Sequence, residues 1–280
     1  MTMITTVELI TPEKAREYLK KNTKNRTIRS RHVDELMRDM KSGKFKLTHQ
    51  GIAFDDDGVL IDGQHRLTAI ALSGIPVQMM VTRGMNEDTR LVIDTHSARN
   101  LRDFYCLSEK YENDKIYRNS GVIAAVRAIV RCGYNGSMKL SHSEIEQLMT
   151  GLYEHLSSLY NICCTRGTNV TGPVAAAILS ALLSGEDKAG LHKFVTVFLT
   201  GNLTGCEEYD VGSAFKLSTA IMSSKSKGAR INAEKMYNLS QNAIWHFLRG
   251  DNVQKLLASQ TPRYVVDKQI FGILNGKTNA

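Results

Sequence analysis

Leu60-Ile61-Asp62-Gly63-Gln64-His65-Arg66-Leu67-Thr68-Ala69-Ile70 is the stretch on which the reading of this chain turns. Apolar residues run up to an Asp-Gly break, three polar side chains come next, and apolar spacing of helical period resumes at once. A strand that ends at Gly63 and turns directly into a helix leaves the first helical N–H groups without partners, converging on one point. Gln64, His65 and Arg66 add donors there, and the arginine brings a planar fork suited to phosphate or carboxylate. The same residues also allow a plainer reading, in which Gly63 permits a tight turn and Arg66 pairs with a nearby acid.

Working outward, the chain up to about residue 110 alternates short strands and short helices, the pattern of a compact α/β unit. Thr5 to Leu9 reads as a strand, and Thr11-Pro12 as a helix start with Thr11 as cap and Pro12 at the first helical position. A second helix, capped by Ser30, carries Val33, Leu36, Met37 and Met40 on one face and ends at Gly43. Gly51 to Phe54 and Val59 to Ile61 flank Asp55-Asp56-Asp57-Gly58 and read as a hairpin. Those acids lack the spacing of a calcium loop. After the helix ending at Gly74, Pro76 to Thr82 and Leu91 to Ile93 read as strands, succeeded by a helix from Ala98 to Leu107.

From about Asp114 helical periodicity takes over: Ile116 to Val130, Ser141 to Ile162, Thr171 to Leu183, Leu191 to Leu199, Val211 to Met222 and Ala233 to Leu248. No strict repeat period appears, so this half is an all-helical bundle or array rather than a solenoid. The expected organisation is therefore an α/β (α+β) domain over 1–110 and an all-α domain over 114–280, with a linker at Ser108 to Asn113.

The central run resembles the Asp-Gly-Gln-His-Arg signature of the ParB/sulfiredoxin-like superfamily, in particular its phage and mobile-element branch of ParB-like nuclease domains. Sulfiredoxins carry Gly-Gly-Cys-His-Arg in the matching place and ParB proteins carry Gly-Glu-Arg-Arg. The likeness extends from about Val7 to Arg99. Asn25-Arg26 before a helix and Gly43 resembles the upstream segment, and Ile93-Asp94-Thr95 with Arg99 resembles the downstream one.

This resemblance implies a loop that cradles the phosphates of a nucleoside triphosphate, ATP or CTP, with Mg²⁺. Gly63, Gln64, His65, Arg66, Thr68 and Arg26 would then contact the nucleotide. Arg66 would neutralise the terminal phosphate, His65 would act as base or phosphate ligand, and Asp62 would hold the metal or accept a proton. The implied function is hydrolysis or transfer of a phosphoryl group in a DNA-associated process of a phage or mobile element, in the cytoplasm. Sulfiredoxin's own reaction is disfavoured, because Gln64 stands where its cysteine would be. Two alternatives remain open: a DNA-binding regulatory or anti-defence protein with a non-catalytic nucleotide pocket, and a metal-dependent nuclease. The nuclease has few clustered carboxylates to work with.

The 280 residues carry a formal net charge of +8 and are 42% hydrophobic. A basic balance favours an acidic partner, with DNA the leading candidate. Lys20, Lys21, Lys24, Arg29 and Arg31 concentrate that charge near the start and are the candidate nucleic-acid contacts; a solvated face is the plainer reading. No apolar tract is long enough for a membrane span, and Met1 to Ile10 lacks the pattern of a signal peptide. Five scattered cysteines, none in a Cys-x-x-Cys pair, argue against a disulfide framework or zinc site. Trp245 sits in an apolar helical stripe and reads as core, and self-association is left open.

Overall fold

In the computed structural model, residues 2–23, 25, 27–86, 101–165, 170–226, 228, 231–258 and 261–276 are described. Lys24, Arg26, the expected strand Leu91–Ile93, Asp94 and Arg99 lie outside them. The protein is mixed α/β, and its chain divides into two compact units, Met1–Arg99 with Lys139–Ser143, and Asn100–Met138 with Glu144–Ala280.

The first unit begins with β1 (Ile4–Ile10), whose period of two sends Glu8 and Ile10 to one face and Val7 and Leu9 to the other. Thr11 caps α1 (Pro12–Leu19), its hydroxyl accepting the Lys14 N–H at 3.2 Å. After α2 (Ser30–Lys41) come β2 (Ile52–Asp55), β3 (Leu60–Asp62), α3 (Gln64–Ser73) and β4 (Val77–Met85). The sheet order is β1-β4-β2-β3: β1/β4 and β2/β3 are antiparallel, and β2/β4 is parallel. The Asp55–Gly58 turn is held by the Asp55 carboxylate, which accepts the N–H groups of Asp57 and Val59. It is therefore an aspartate turn. Ile10, Ala15, Tyr18, Val33, Ile52, Phe54, Leu67, Ile70 and Val81 are among the residues of the core that joins these three helices to the sheet.

Ser30, the expected cap of α2, is instead its first helical residue. Arg29 holds the cap position in extended backbone, and no side chain caps the helix. The reason is tertiary: the Arg29 N–H is taken by His65 Nε2 at 3.0 Å.

Glu8 is held by several partners at once. Its carboxylate meets Lys14 at 2.8 Å, Arg83 at 2.6 Å and the Tyr18 hydroxyl at 2.8 Å. Burial pushes its pKa up, but hydrogen bonds from Arg83, Lys14, Tyr18 and Thr6 outweigh this and hold it well below the ordinary carboxylate range. A depressed folded-state pKa adds stability that is complete above the ordinary range and is lost as pH falls towards the folded value. Glu8→Gln is expected to cost about 2 kcal/mol at neutral pH, the scale of hydrogen bonds to a charged group. Urea unfolding at pH 7 and pH 4 checks it: the difference between variant and wild type should shrink on acidification.

The second unit comprises α4 (Leu101–Leu107), α5 (Ser120–Gly133), α6 (His142–Gly151, whose first residues belong to the first unit), α7 (Tyr153–Leu159), α8 (Gly172–Leu183), α9 (Lys188–Thr200), α10 (Val211–Ser226), α11 (Ala233–Arg249) and α12 (Asp267–Leu274). Val174 through Leu182 on α8 are all buried, as befits a helix apolar on every side, and α5, α7 and α11 pack around it.

Three expectations shift here. The stretch Ser108–Asn113, expected as a linker, packs within this unit: Tyr111 is buried, its ring 4.9 Å from Tyr105 and 4.4 Å from Tyr117. The single helix expected over Ser141–Ile162 is broken after Gly151. A Cβ at Gly151 would lie 2.9 Å from the Ile273 side chain, so α12 seats against the break. The short α12 itself lies beyond the helices expected from periodicity. Trp245, expected in the core, is instead partly exposed, with the Arg249 guanidinium 3.3 Å from its ring centroid. None of the five cysteines is in a disulfide. Among the described residues, no helix is long and apolar enough to cross a membrane.

Candidate functional site

The strand-to-helix turn exists because of two glycines. Gly63 occupies the cap position of α3 at φ +100°, in the left-handed region, and a Cβ there would lie 3.1 Å from both the Cα and Cγ1 of Ile52. Gly51 lets the start of β2 approach β4, since a Cβ on it would come within 2.7 Å of the Met80 carbonyl carbon.

Around this turn the polar residues are engaged with the fold. Asp62 Oδ1 accepts its neighbour's N–H, that of Gly63, at 2.6 Å. Arg66 donates from Nη1 to the Gly51 carbonyl at 2.7 Å and lies 3.6 Å from Asp62 Oδ2, with 21% of its side chain exposed. It thus acts as a strut between α3, the turn and β2. Thr68 gives its hydroxyl to the Gln64 carbonyl, one turn back in its own helix. Buried Gln64 accepts from Asn22, Asn22 accepts from Asn25, and Asn25 also donates to the Leu60 carbonyl at 2.7 Å. This polar chain ties the loop before α2 to the turn.

His65 faces a different environment. It is 8% exposed and borders a cavity of about 570 Å³ also lined by Arg29, Ser30, Arg31, His32 and Lys139. With Nε2 accepting the Arg29 N–H, a neutral His65 carries its proton on Nδ1. The His32 ring stands 5.3 Å from it, centroid to centroid. His32 Nδ1 is 3.1 Å from Glu35 Oε2, and Lys139 reaches the same oxygen at 2.7 Å. Burial pushes the Glu35 pKa up, but the hydrogen bonds from His32 and Lys139 prevail and hold it below the usual carboxylate range. Arg29 and Arg31 have no ion pair among the described residues.

Of the residues anticipated from sequence, the cavity collects His65, Arg29 and Arg31. Asp62, Gly63, Gln64, Arg66 and Thr68 are not among its lining residues, while Lys20 and Lys21 sit at the end of α1, Lys21 over the Phe54 ring at 5.5 Å. Sequence reasoning missed His32, Glu35 and Lys139. The His32–Glu35 spacing of three on a helix was a readable signal. Lys139 had none, being far along the chain and brought in by the segment Lys139–Ser143, where Ser141 and Ser143 both donate to Asp39.

Among the described residues, no group of three or more His, Cys, Asp or Glu side chains is placed to hold a metal ion. Asp62 in particular already serves the Gly63 amide and faces the Arg66 cation, so it does not by itself fit a magnesium site. No known family, curated protein or solved structure matches this chain.

Proposed function

We propose that the first unit binds a nucleoside triphosphate, ATP or CTP, by its phosphates in the cavity beside His65. It would hydrolyse the nucleotide or transfer its phosphoryl group in a DNA-associated process, as a ParB/sulfiredoxin-like protein of the phage branch would. The observation that carries this reading is one cavity, of nucleotide size, lined by two guanidiniums with no ion pair among the described residues, at the start of a helix that no side chain caps. Guanidinium forks and a helix N-terminus both favour phosphate oxygens.

The residues divide the work. Arg29 and Arg31 bind phosphate, with Lys139 as a third cation already shared with Glu35. His65 positions the opening of α2 through the Arg29 amide. Asp62 and Arg66 brace the turn from behind. His32 is the group placed to accept a proton: with Nδ1 donating to Glu35, its Nε2 is the basic nitrogen, in the oriented-base arrangement that general-base catalysis requires. Mg²⁺ would screen charge on the phosphate oxygens, and the described side chains offer it no cage of their own.

Arg31→Ala with Lys139→Ala is expected to weaken nucleotide binding at least about tenfold, the scale of one lost charge-assisted contact. His32→Gln is expected to lower turnover about a hundredfold with affinity within threefold. Titration and phosphate release on the full chain, with and without duplex DNA, measure both. Binding indifferent to all these side chains overturns the reading, as does Mg²⁺-dependent plasmid nicking without nucleotide.

A second reading is a DNA-binding regulatory or anti-defence protein whose nucleotide pocket is a switch only. It is favoured by the engagement of Asp62 and Arg66 in the fold. Affinity that depends on Arg31 and Lys139, without any turnover, would select it.

A further inference from the structure

The second unit carries a groove of its own, about 540 Å³, built along one face of α5. Ser120, Ile123, Ala124, Arg127, Ala128 and Arg131 line it at separations of three and four, an unbroken helical stripe. Leu101 and Pro173 close its walls, and Arg102 reaches it from α4, its Nε donating to the Arg118 carbonyl at 3.2 Å.

Two features of this groove point to an anionic ligand. Among the described residues no carboxylate lines it, although it holds three arginines. Arg127 and Arg131 lie one turn apart, where like charges repel, and both are exposed with no ion pair or hydrogen-bond partner among the described residues. Between and beneath them the surface is aliphatic. A purely charged partner would leave the half-buried Ala124 and Pro173 uncovered, and a purely apolar one would desolvate the guanidiniums without compensation.

We propose that this groove binds an amphipathic small anion, a molecule with an aliphatic or aromatic body and one carboxylate, sulfonate or phosphate head. The body lies on Ala124 and Pro173, and the head bridges Arg127 and Arg131. The volume falls in the range of small-molecule sites. The site is independent of the nucleotide cavity and stands if that reading fails.

The test uses the full chain and the fluorescent probe anilinonaphthalene sulfonate, displaced by decanoate or by decanol. Expected are one saturable site and displacement by decanoate at about tenfold lower concentration than by decanol. Arg127→Glu with Arg131→Glu weakens the probe at least about tenfold, while the paired lysine variants stay within threefold. Ala124→Trp, which fills the floor, removes binding with both arginines present. Circular dichroism melts confirm that each variant is folded, and the lysine pair and Ala124→Trp keep the test decisive if the glutamate pair is not. Probe binding unchanged in the glutamate pair or in Ala124→Trp overturns the proposal. So does equal displacement by decanol, or displacement by an acidic amphipathic peptide where decanoate fails.

Discussion

Gly51→Ala is expected to destabilise the first unit by about 4 kcal/mol, at the upper end of single substitutions. The added methyl would overlap the Met80 carbonyl oxygen and stand 2.7 Å from its carbon and 3.0 Å from the Met80 Cβ. Those atoms belong to the backbone and Cβ of β4 and cannot swing aside like the end of a long side chain. Relief requires parting β2 from β4, where Ile52 pairs with Val81, and both of those side chains are buried. The same shift draws the Gly51 carbonyl away from Arg66 and loosens the turn. Urea unfolding of the full chain measures the loss. A midpoint within the error of wild type would show that β2 has room that the structure denies it.

Gly63→Ala is expected to cost about 3 kcal/mol, from two sources. Holding an alanine at φ +100° costs on the order of 1–3 kcal/mol, and the new Cβ crowds Ile52 at 3.1 Å. Gly74→Ala separates the two. It has a similar backbone, φ +75°, with nothing within 4 Å of the added Cβ, so strain alone should cost about 1–2 kcal/mol. If both variants lose the same stability, the contact with Ile52 has no weight. On the proposed nucleotide reading, binding by Gly63→Ala should fall together with its stability, because the turn carries His65 and thereby the start of α2.

The elements that could be read from sequence were those whose signals lie within a few residues. Thr11-Pro12, the Asp55 turn, Gly63 and Gly74 each act through a backbone conformation or a local hydrogen bond, and each stands where expected. The elements that could not be read depend on distant partners. Ser30 has the chemistry of a cap, yet the cap position went to Arg29 because His65 takes its amide. Ser141–Ile162 has continuous helical spacing, yet it breaks where Ile273 packs on Gly151. Ser108–Asn113 has the composition of a linker because its polar residues outnumber its one aromatic, and Tyr111 found two other tyrosines.

The candidate site divides in the same way. Asp62 through Arg66 were legible as a turn with donors because strand, glycine and helix adjoin directly in the chain. Which way those donors point was not legible. Arg66 had two possible partners, an incoming anion or a carbonyl of its own fold, and the carbonyl it takes, that of Gly51, comes just before the strand β2.

Sequence by itself determined the alternation of strand and helix up to β4, the helical character of the second unit, the turn at Gly63 and the basic character of the chain. Local backbone preference and side-chain period act over a few residues and need no partner. Only the tertiary structure decided that Arg66 braces the turn, that His65 holds the opening of α2, and that Arg29, Arg31, His32 and Lys139 share one cavity. Charge and hydrogen-bonding capacity are properties of residues, but the partner each one takes is set by which backbones the sheet and helices bring within about 3 Å, and that is a property of the fold.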